Sequence, residues 1–376
     1  MSGIYIHIPF CKKACHYCDF HFSTNLNLKK DMALAIANEI GLQKNYLKSK
    51  NIETIYFGGG TPSLLNEEEF EIIFKAIYKN FIIDIDAEIT LEANPDDLSK
   101  EKLNILKKYP FNRLSIGVQS FYEPHLKFMN RAHTSSEAYS SVINAQNAGF
   151  DNITIDLIYS VPHHDHSIWE NDLQKAVELN IQHISAYSLT IEPKTVFGKQ
   201  LKNGKITPID EEFSAKQFEI LVEYLSENNF DQYEISNFCL PDKYARHNSN
   251  YWKRKNYLGL GPSAHSFNGE TRQWNVSNNK EYINSIKNNL LPFTIEHLST
   301  TDQINEYLLT SLRTKWGTDI NEIEKISGIN FYKKNQIVIE NYIISDHLTL
   351  NNNIITLTQK GKLLADEITL QLYIEK

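Results

Sequence analysis

Three of the four cysteines crowd into one short stretch, Cys11-Lys12-Lys13-Ala14-Cys15-His16-Tyr17-Cys18, a C-x3-C-x2-C spacing. Thiolates hold iron–sulfur clusters, usually four at a time, so three leave one iron with an open position that a chelating small molecule could fill. Structural zinc is the alternative. It needs four protein ligands, and Cys239, His16 or His21 would have to supply the fourth. So few cysteines in a chain of 376 residues do not make a secreted disulfide framework. Two further features could do chemistry. Gly58-Gly59-Gly60-Thr61-Pro62 follows an apolar run, and glycines let a backbone approach a ligand with its N–H groups exposed. Asp156 lies inside Ile155-Asp156-Leu157-Ile158-Tyr159, where a carboxylate is costly to bury unless it has a partner.

The elements that must position these residues alternate. Ile4, Ile6 and Ile8 alternate with Tyr5 and His7, which is the period of a strand. Further strands are predicted over 53–57, 88–93, 113–118, 153–159 and 183–189. Helices are predicted over 28–47, 67–78, 100–108, 136–148, 168–179 and 211–226. Six strand–helix repeats predict right-handed parallel crossovers and an α/β fold, a six-stranded barrel or open barrel. The residues with chemistry fall where strands end (Gly58–Thr61, Glu92, Gln119, Asp156), and that end forms the ligand face of parallel α/β folds.

The alternation stops after about residue 275, which divides the chain into 1–275 and 276–376. In the second part, helices are expected over 301–313, 320–326 and 331–342. Strands over 348–350 and 354–357 flank the turn signal Asn351-Asn352-Asn353, and Thr358 could cap a last helix. This is a helical, winged-helix-like pattern. It carries 10 Lys and Arg against 12 acids, which suits a lid or packing unit better than a DNA reader. The whole chain has a formal charge of −8, which argues against a nucleic-acid partner. No apolar run is long enough to span a bilayer and no signal peptide is evident, so the expected location is the cytoplasm.

The cysteine stretch, with aromatic Tyr17 before its last cysteine, resembles the radical S-adenosylmethionine superfamily. Tyr5-Ile6-His7-Ile8-Pro9-Phe10-Cys11 narrows this to the anaerobic coproporphyrinogen III oxidase family and its haem-chaperone HemW subgroup. The resemblance implies a partial (β/α)6 radical-SAM barrel with a [4Fe–4S] cluster on Cys11, Cys15 and Cys18. It places S-adenosylmethionine among Tyr5, Gly59, Gly60, Thr61, Glu92, Gln119, Arg131 and Asp156, with Tyr17 meeting the adenine through its backbone. Thr190 falls at another family position in a stretch that departs from the pattern. The cofactors would supply a 5′-deoxyadenosyl radical by one-electron cleavage of the sulfonium.

Two departures point away from the coproporphyrinogen dehydrogenase branch, which is the alternative function. Its motif continues C-x-C, but here Phe20 stands in place of that cysteine, and its N-terminal extension is missing. Arg246-His247-Asn248-Ser249-Asn250-Tyr251-Trp252 resembles the H-N-x-x-Y-W signature of the chaperone subgroup. Imidazole is a common axial ligand of haem iron, so His247 is the candidate ligand, with Cys239 as a thiolate alternative. The resemblance implies haem, acceptor haem proteins and a small redox protein as electron donor, and leaves peripheral membrane contact open. His265 and the His163, His164, His166 group are expected to be structural or solvated.

Overall fold

A computed structural model describes Ser2–His163 and Asp165–Glu375. The six expected strands are β1 (Ser2–Ile8), β2 (Asn51–Gly59), β3 (Ile82–Ala93), β4 (Arg113–Gln119), β5 (Ile153–Tyr159) and β6 (His183–Ser188). They pair in sequence order and in parallel. The crossovers carry α1 (Lys29–Leu42), α2 (Glu67–Asn80), α3 (Lys100–Leu106), the short α4 (Glu123–Phe128) with α5 (Ser135–Asn147), and α6 (Ser167–Glu178). Capping boxes start α2 (Asn66 with Glu69) and α5 (Thr134 with Glu137), satisfying backbone N–H groups that a helix start leaves free.

Each strand has one apolar and one polar face. Ile4, Ile6 and Ile8 of β1, and their counterparts along the sheet, join Met32, Ile36 and Phe70 of the helices in the main core. Tyr5, His7, Tyr56, Glu92, Ser115, Asp156 and Ser185 point the other way, into the barrel. A polar interior on a parallel sheet marks a ligand cavity rather than a packed core.

The strand order is linear, so the barrel stays open. After α7 (Val196–Lys202) and α8 (Glu211–Glu227), the hairpin of β7 (Asp231–Glu234) and β8 (Asn237–Cys239) extends one edge, β8 antiparallel to β6 and β7 antiparallel to β8. The short α9 (Arg246–Trp252) then crosses to the other edge. There β9 (Asn256–Leu260) is a seventh parallel strand, beside β1. Its run Leu258-Gly259-Leu260-Gly261 reads as a close-approach loop. Gly259 of β9 pairs with Tyr5 of β1 and makes that close approach, since His265 O sits 1.9 Å from where its Cβ would be, a contact only glycine permits.

The sheet runs on past residue 275. Strands β10 (His265–Phe267), β11 (Thr271–Asn275) and β12 (Phe293–His297) form an antiparallel extension. Between β11 and β12, α10 (Asn279–Lys287) packs Tyr282, Ile283 and Ile286 into the main core. A second core begins at Ile304. It is formed by α11 (Thr300–Ser311), β13 (Thr318–Asp319), α12 (Ile320–Ser327), α13 (Phe331–Ile344), β14 (Leu348–Asn351), β15 (Ile354–Leu357), α14 (Gln359–Lys362) and α15 (Ala365–Gln371). Asn352 and Asn353 both take positive φ in the β14–β15 hairpin, as a two-residue turn requires. The three short strands order as β13-β15-β14. Arg313 joins this unit to the barrel by donating Nε–H to Glu234 Oε1 at 2.8 Å and lying over the Trp252 ring. No helix among the described residues is long and apolar enough to cross a membrane.

Glu39 of α1 fastens the antiparallel extension. Its buried carboxylate accepts from Gly261 N (2.8 Å), Asn275 Nδ2 (2.6 Å) and Tyr282 Oη (2.6 Å). Burial pushes this carboxyl from 4.5 up to about 7, against the lowering pull of those three donors. Glu39→Ala strips Gly261 N and Tyr282 Oη of their acceptor, while Asn275 Nδ2 keeps Gly261 O at 2.8 Å, and is expected to cost about 2 kcal/mol or more, read from the urea midpoint. Because its folded pKa lies above its unfolded one, the folded chain binds a proton that the unfolded chain has released. Stability from Glu39 therefore falls as pH rises from 4.5 to about 7, and the variant should lack that component of the slope.

Candidate functional site

The cysteine loop leaves β1 through Pro9 and Phe10 and folds across the carboxyl ends of the parallel strands. Backbone bonds pin it at both ends. Cys11 N donates to Ser23 O (3.1 Å), Ser23 N to Pro9 O (2.8 Å) and His16 N to Met129 O (3.1 Å). All three thiols are half-buried. Burial pushes Cys11 up to about 11, opposed by a hydrogen bond from Thr61 Oγ1 at 3.5 Å, and pushes Cys18 up to about 12. The three sulfurs lie within each other's electrostatic reach. Among the described residues no three His, Cys, Asp or Glu side chains converge tightly enough to cage one ion. A multi-iron cluster binds each thiolate to a different iron, so its ligands stand further apart, and iron replaces the thiol proton that burial retains.

The fourth ligands a zinc site would need lie elsewhere. Cys239 is buried in β8, between β6 and β7, opposite His183. His16 bonds Phe128 O at 3.1 Å and His21 bonds Asn279 Oδ1 at 2.7 Å.

Arg131 ties the loop to the strand ends. Its Nη1 donates to Cys15 Sγ and Tyr17 Oη, each at 3.3 Å, and its Nη2 to Asn94 Oδ1 (2.6 Å) and Gly117 O (2.7 Å). Its Nε is buried without a partner, a donor that a bound ligand could use. Asn94 Nδ2 in turn donates to Thr61 Oγ1 at 3.1 Å. One polar chain thus runs Cys11–Thr61–Asn94–Arg131–Cys15. Lys12 braces the loop from outside through ion pairs with Asp96 and Asp97.

Below the loop sit two carboxylates. Glu92 accepts from Tyr56 Oη (2.8 Å) and Gly59 N (3.1 Å). Burial raises it to about 7, Asp156 adds to the rise, and the two donors oppose it. Asp156 accepts from Ser115 Oγ at 3.2 Å, and burial raises it to about 6. Tyr5 stacks on Tyr56 and bonds His7 Nδ1 at 3.1 Å. Gln119 ends β4 in a left-handed conformation at φ 66°. Gly59 and Gly60 are packed too closely for a side chain. A Cβ at Gly60 would meet Ile8 O and Phe10 O, both at 2.7 Å. The mouth therefore gathers Tyr5, Gly59, Gly60, Thr61, Glu92, Gln119, Arg131 and Asp156, with Tyr17 beneath the loop. Asn94, Tyr56 and Ser115 were not singled out from sequence. Asn94 could have been, from its place in Leu91-Glu92-Ala93-Asn94-Pro95 at the end of a strand.

His247 lies deeper, toward the other end of the barrel, stacked on Tyr56 at 5.1 Å. Both of its ring nitrogens are engaged, Nδ1 with Thr54 Oγ1 and Nε2 with Tyr251 Oη, each at 2.8 Å. Only 2% of its surface is exposed, and burial pushes its imidazole down to about 3. To ligate iron it would have to release Tyr251. Cys239, the thiolate alternative, is raised by burial to about 12. Thr190 follows the carboxyl end of β6, its hydroxyl donating to Ser188 O at 3.4 Å. His265 stacks on Trp274, and His166 on Phe213. His163 packs near Tyr122 and His125, and His164 lies outside the described residues. Phe20, 68% exposed, projects into solvent just beyond Cys18.

An open parallel barrel with a cysteine loop across its mouth defines a class, and sequence comparison agrees. Residues 5–176 match the Radical SAM superfamily. The chain resembles "Coproporphyrinogen III oxidase (HemN) from Escherichia coli" in structure, with a TM-score of 0.84 at 23% identity over 99% of this chain and 90% of that one. It is 34% identical to the protein named heme chaperone HemW of Bacillus subtilis, over 98% of both chains. It is also 36% identical to that of Escherichia coli, over 70% of this chain and 69% of that one. The chain belongs to the HemW family of radical SAM proteins.

Gly60→Ala forces the cysteine loop off β1. The variant is expected to lose about 2 kcal/mol. After anaerobic reconstitution it should hold less iron per chain than wild type.

Proposed function

We propose that this chain is a haem carrier of the HemW type. It holds a [4Fe–4S] cluster on Cys11, Cys15 and Cys18, binds S-adenosylmethionine in the barrel mouth, and delivers haem to acceptor haem proteins. The observation that carries the reading is the relation to heme chaperones at 34% identity over 98% of both chains.

The mouth suits the cofactors. Gly59, Gly60 and Thr61 offer a backbone edge for the methionyl amino end. Glu92 and Asp156 are buried carboxylates for a cationic or hydroxyl-bearing ligand, and Arg131 sets the height of the cysteine loop. Tyr5 and Gln119 line the sides, and Tyr17 stands where its backbone can meet the adenine. The cofactors, when bound, supply one-electron cleavage of the sulfonium. This chain's own residues orient the ligand and keep water from it. The sulfurs of Cys11 and Cys15 face the mouth through Thr61 and Arg131, and the exposed Phe20 just beyond Cys18 offers a surface where a small redox protein could dock.

The second reading is a coproporphyrinogen dehydrogenase. Its support is the same mouth, since every cofactor-facing position is filled, and it fits the fold shared with the coproporphyrinogen oxidase. Phe20 in place of the further cysteine weighs against it.

Anaerobic reconstitution should load about four iron atoms per chain. Alanine at Cys11, Cys15 and Cys18 together should abolish that loading, and S-adenosylmethionine should perturb the reduced cluster's EPR signal only in wild type. The reconstituted protein should bind haem with a defined Soret band and form no protoporphyrinogen from coproporphyrinogen III with reductant. Turnover to protoporphyrinogen would replace the carrier reading with the enzymatic one.

A further inference from the structure

Beside the mouth, between the ends of β5 and β6, helix α8 and the C-terminal unit, lies a cavity of about 810 Å³. Sites for cofactor-sized molecules run to about 300–1,000 Å³. Its walls are mostly apolar. Ile191 and Phe218 contribute from the barrel, and Leu363 and Leu364 from the C-terminal unit. These two leucines are adjacent, and they stand 42% and 38% exposed. Neighbouring exposed leucines on a cavity wall are costly in water and suit an apolar face laid against them.

The C-terminal wall also carries the cavity's nitrogen groups. Lys362 Nζ is half-buried and donates to Gln232 Oε1 at 2.8 Å. Burial pushes its ammonium down to about 8, against the raising fields of Asp231 and Glu234. Lys360 Nζ, exposed, donates to Ser345 O at 2.9 Å. Glu211 is the acid on the lining.

His347 completes that wall and is rigidly placed. Its N–H donates to Tyr342 O (2.8 Å), and its carbonyl accepts from Thr358 N (3.0 Å). A Cβ on Gly361 would come within 2.0 Å of that carbonyl, so glycine is required opposite it. Its Nδ1 is held by Ser345 Oγ at 2.9 Å. No partner for Nε2 is recorded among the described residues. His247, by contrast, has spent both nitrogens.

We propose that this cavity is the haem seat, with His347 Nε2 as axial ligand of the iron, Lys360 and Lys362 meeting the two propionates, and Leu363 and Leu364 against the macrocycle. The assignment rests on the haem-carrier reading. Each part of the ligand finds its chemistry here: apolar faces on leucine and phenylalanine, carboxylates on ammonium groups, iron on an imidazole whose other nitrogen is fixed. Tyr159 and Ser188 line the cavity from the ends of β5 and β6, the strands that carry Asp156 and Ser185. The carried haem therefore lies beside the cofactor mouth and against the C-terminal unit, a position from which movement of that unit would release it.

The test is titration of ferric haem, followed by dithionite reduction, into the full-length reconstituted chain and its variants. His347→Ala should shift the Soret maximum and weaken binding by about tenfold or more, with added imidazole restoring the wild-type band. Leu363→Arg alters an exposed position, so it should fold with an unchanged melting temperature and weaken binding to a similar degree. His247→Ala should leave the Soret position of the bound fraction unchanged. Wild-type band and affinity in both His347→Ala and Leu363→Arg would overturn this seat while leaving the carrier reading intact. Failure of wild type itself to bind haem would overturn both.

Discussion

Glu92 and Asp156 are buried inside the barrel, each raised by burial, and Asp156 adds to the rise of Glu92. Two carboxylates in one water-poor cavity are costly unless donors meet them. Most of the surrounding architecture supplies those donors. Tyr56 on β2 and the Gly59 N–H at the end of that strand serve Glu92, and Ser115 on β4 serves Asp156. Donors and carboxylates together span the four neighbouring strands β2 to β5 in parallel register, so a slip of one residue in any of them would turn a group to the apolar face. The polar layer and the register of the sheet therefore specify each other.

Above that layer, a second network decides how the cysteine loop lies. Arg131 reaches two loop side chains and two strand-end groups at once, and Asn94 extends the chain to Thr61 and so to Cys11. Besides the anchoring of Phe10 in the main core and Tyr17 against the Leu126–Met129 cluster, the loop's position depends on hydrogen bonds from a guanidinium that is shielded from water. Such bonds are stronger for being shielded, and they fail together if one member is lost.

The C-terminal unit meets the barrel through several polar contacts, among them Lys315 with Asp231, Lys362 with Gln232 and Glu306 with Arg254. Glu234, Arg313 and Trp252 form a buried, polar joint whose geometry is narrowly defined. The wall around His347 and Leu363 lines the cavity, and Lys362 in that wall bonds Gln232 of β7 at 2.8 Å.

Much of this was legible in the sequence. Strand and helix alternation set the order of β1 to β6, because a two-residue period and apolar runs between capping residues are local properties. The cysteine spacing, the glycine run and the Asn351–Asn353 turn are local too. Other features were not legible. The seventh parallel strand was hidden because its glycines mimic a loop, and only contact with His265 shows why they are needed. The chain's continuation into the main sheet past residue 275 was hidden because Glu39 recruits Asn275 and Tyr282 from far along the sequence. His247 and His347 look alike as residues. Which one keeps a free nitrogen depends on whether Tyr251 and Thr54, or only Ser345, lie within hydrogen-bond reach. The sequence alone determined which side chains are present and on which face of each element they fall. Tertiary structure decided which of them still have unspent bonds, because hydrogen-bond saturation belongs to neighbours in space and not in sequence.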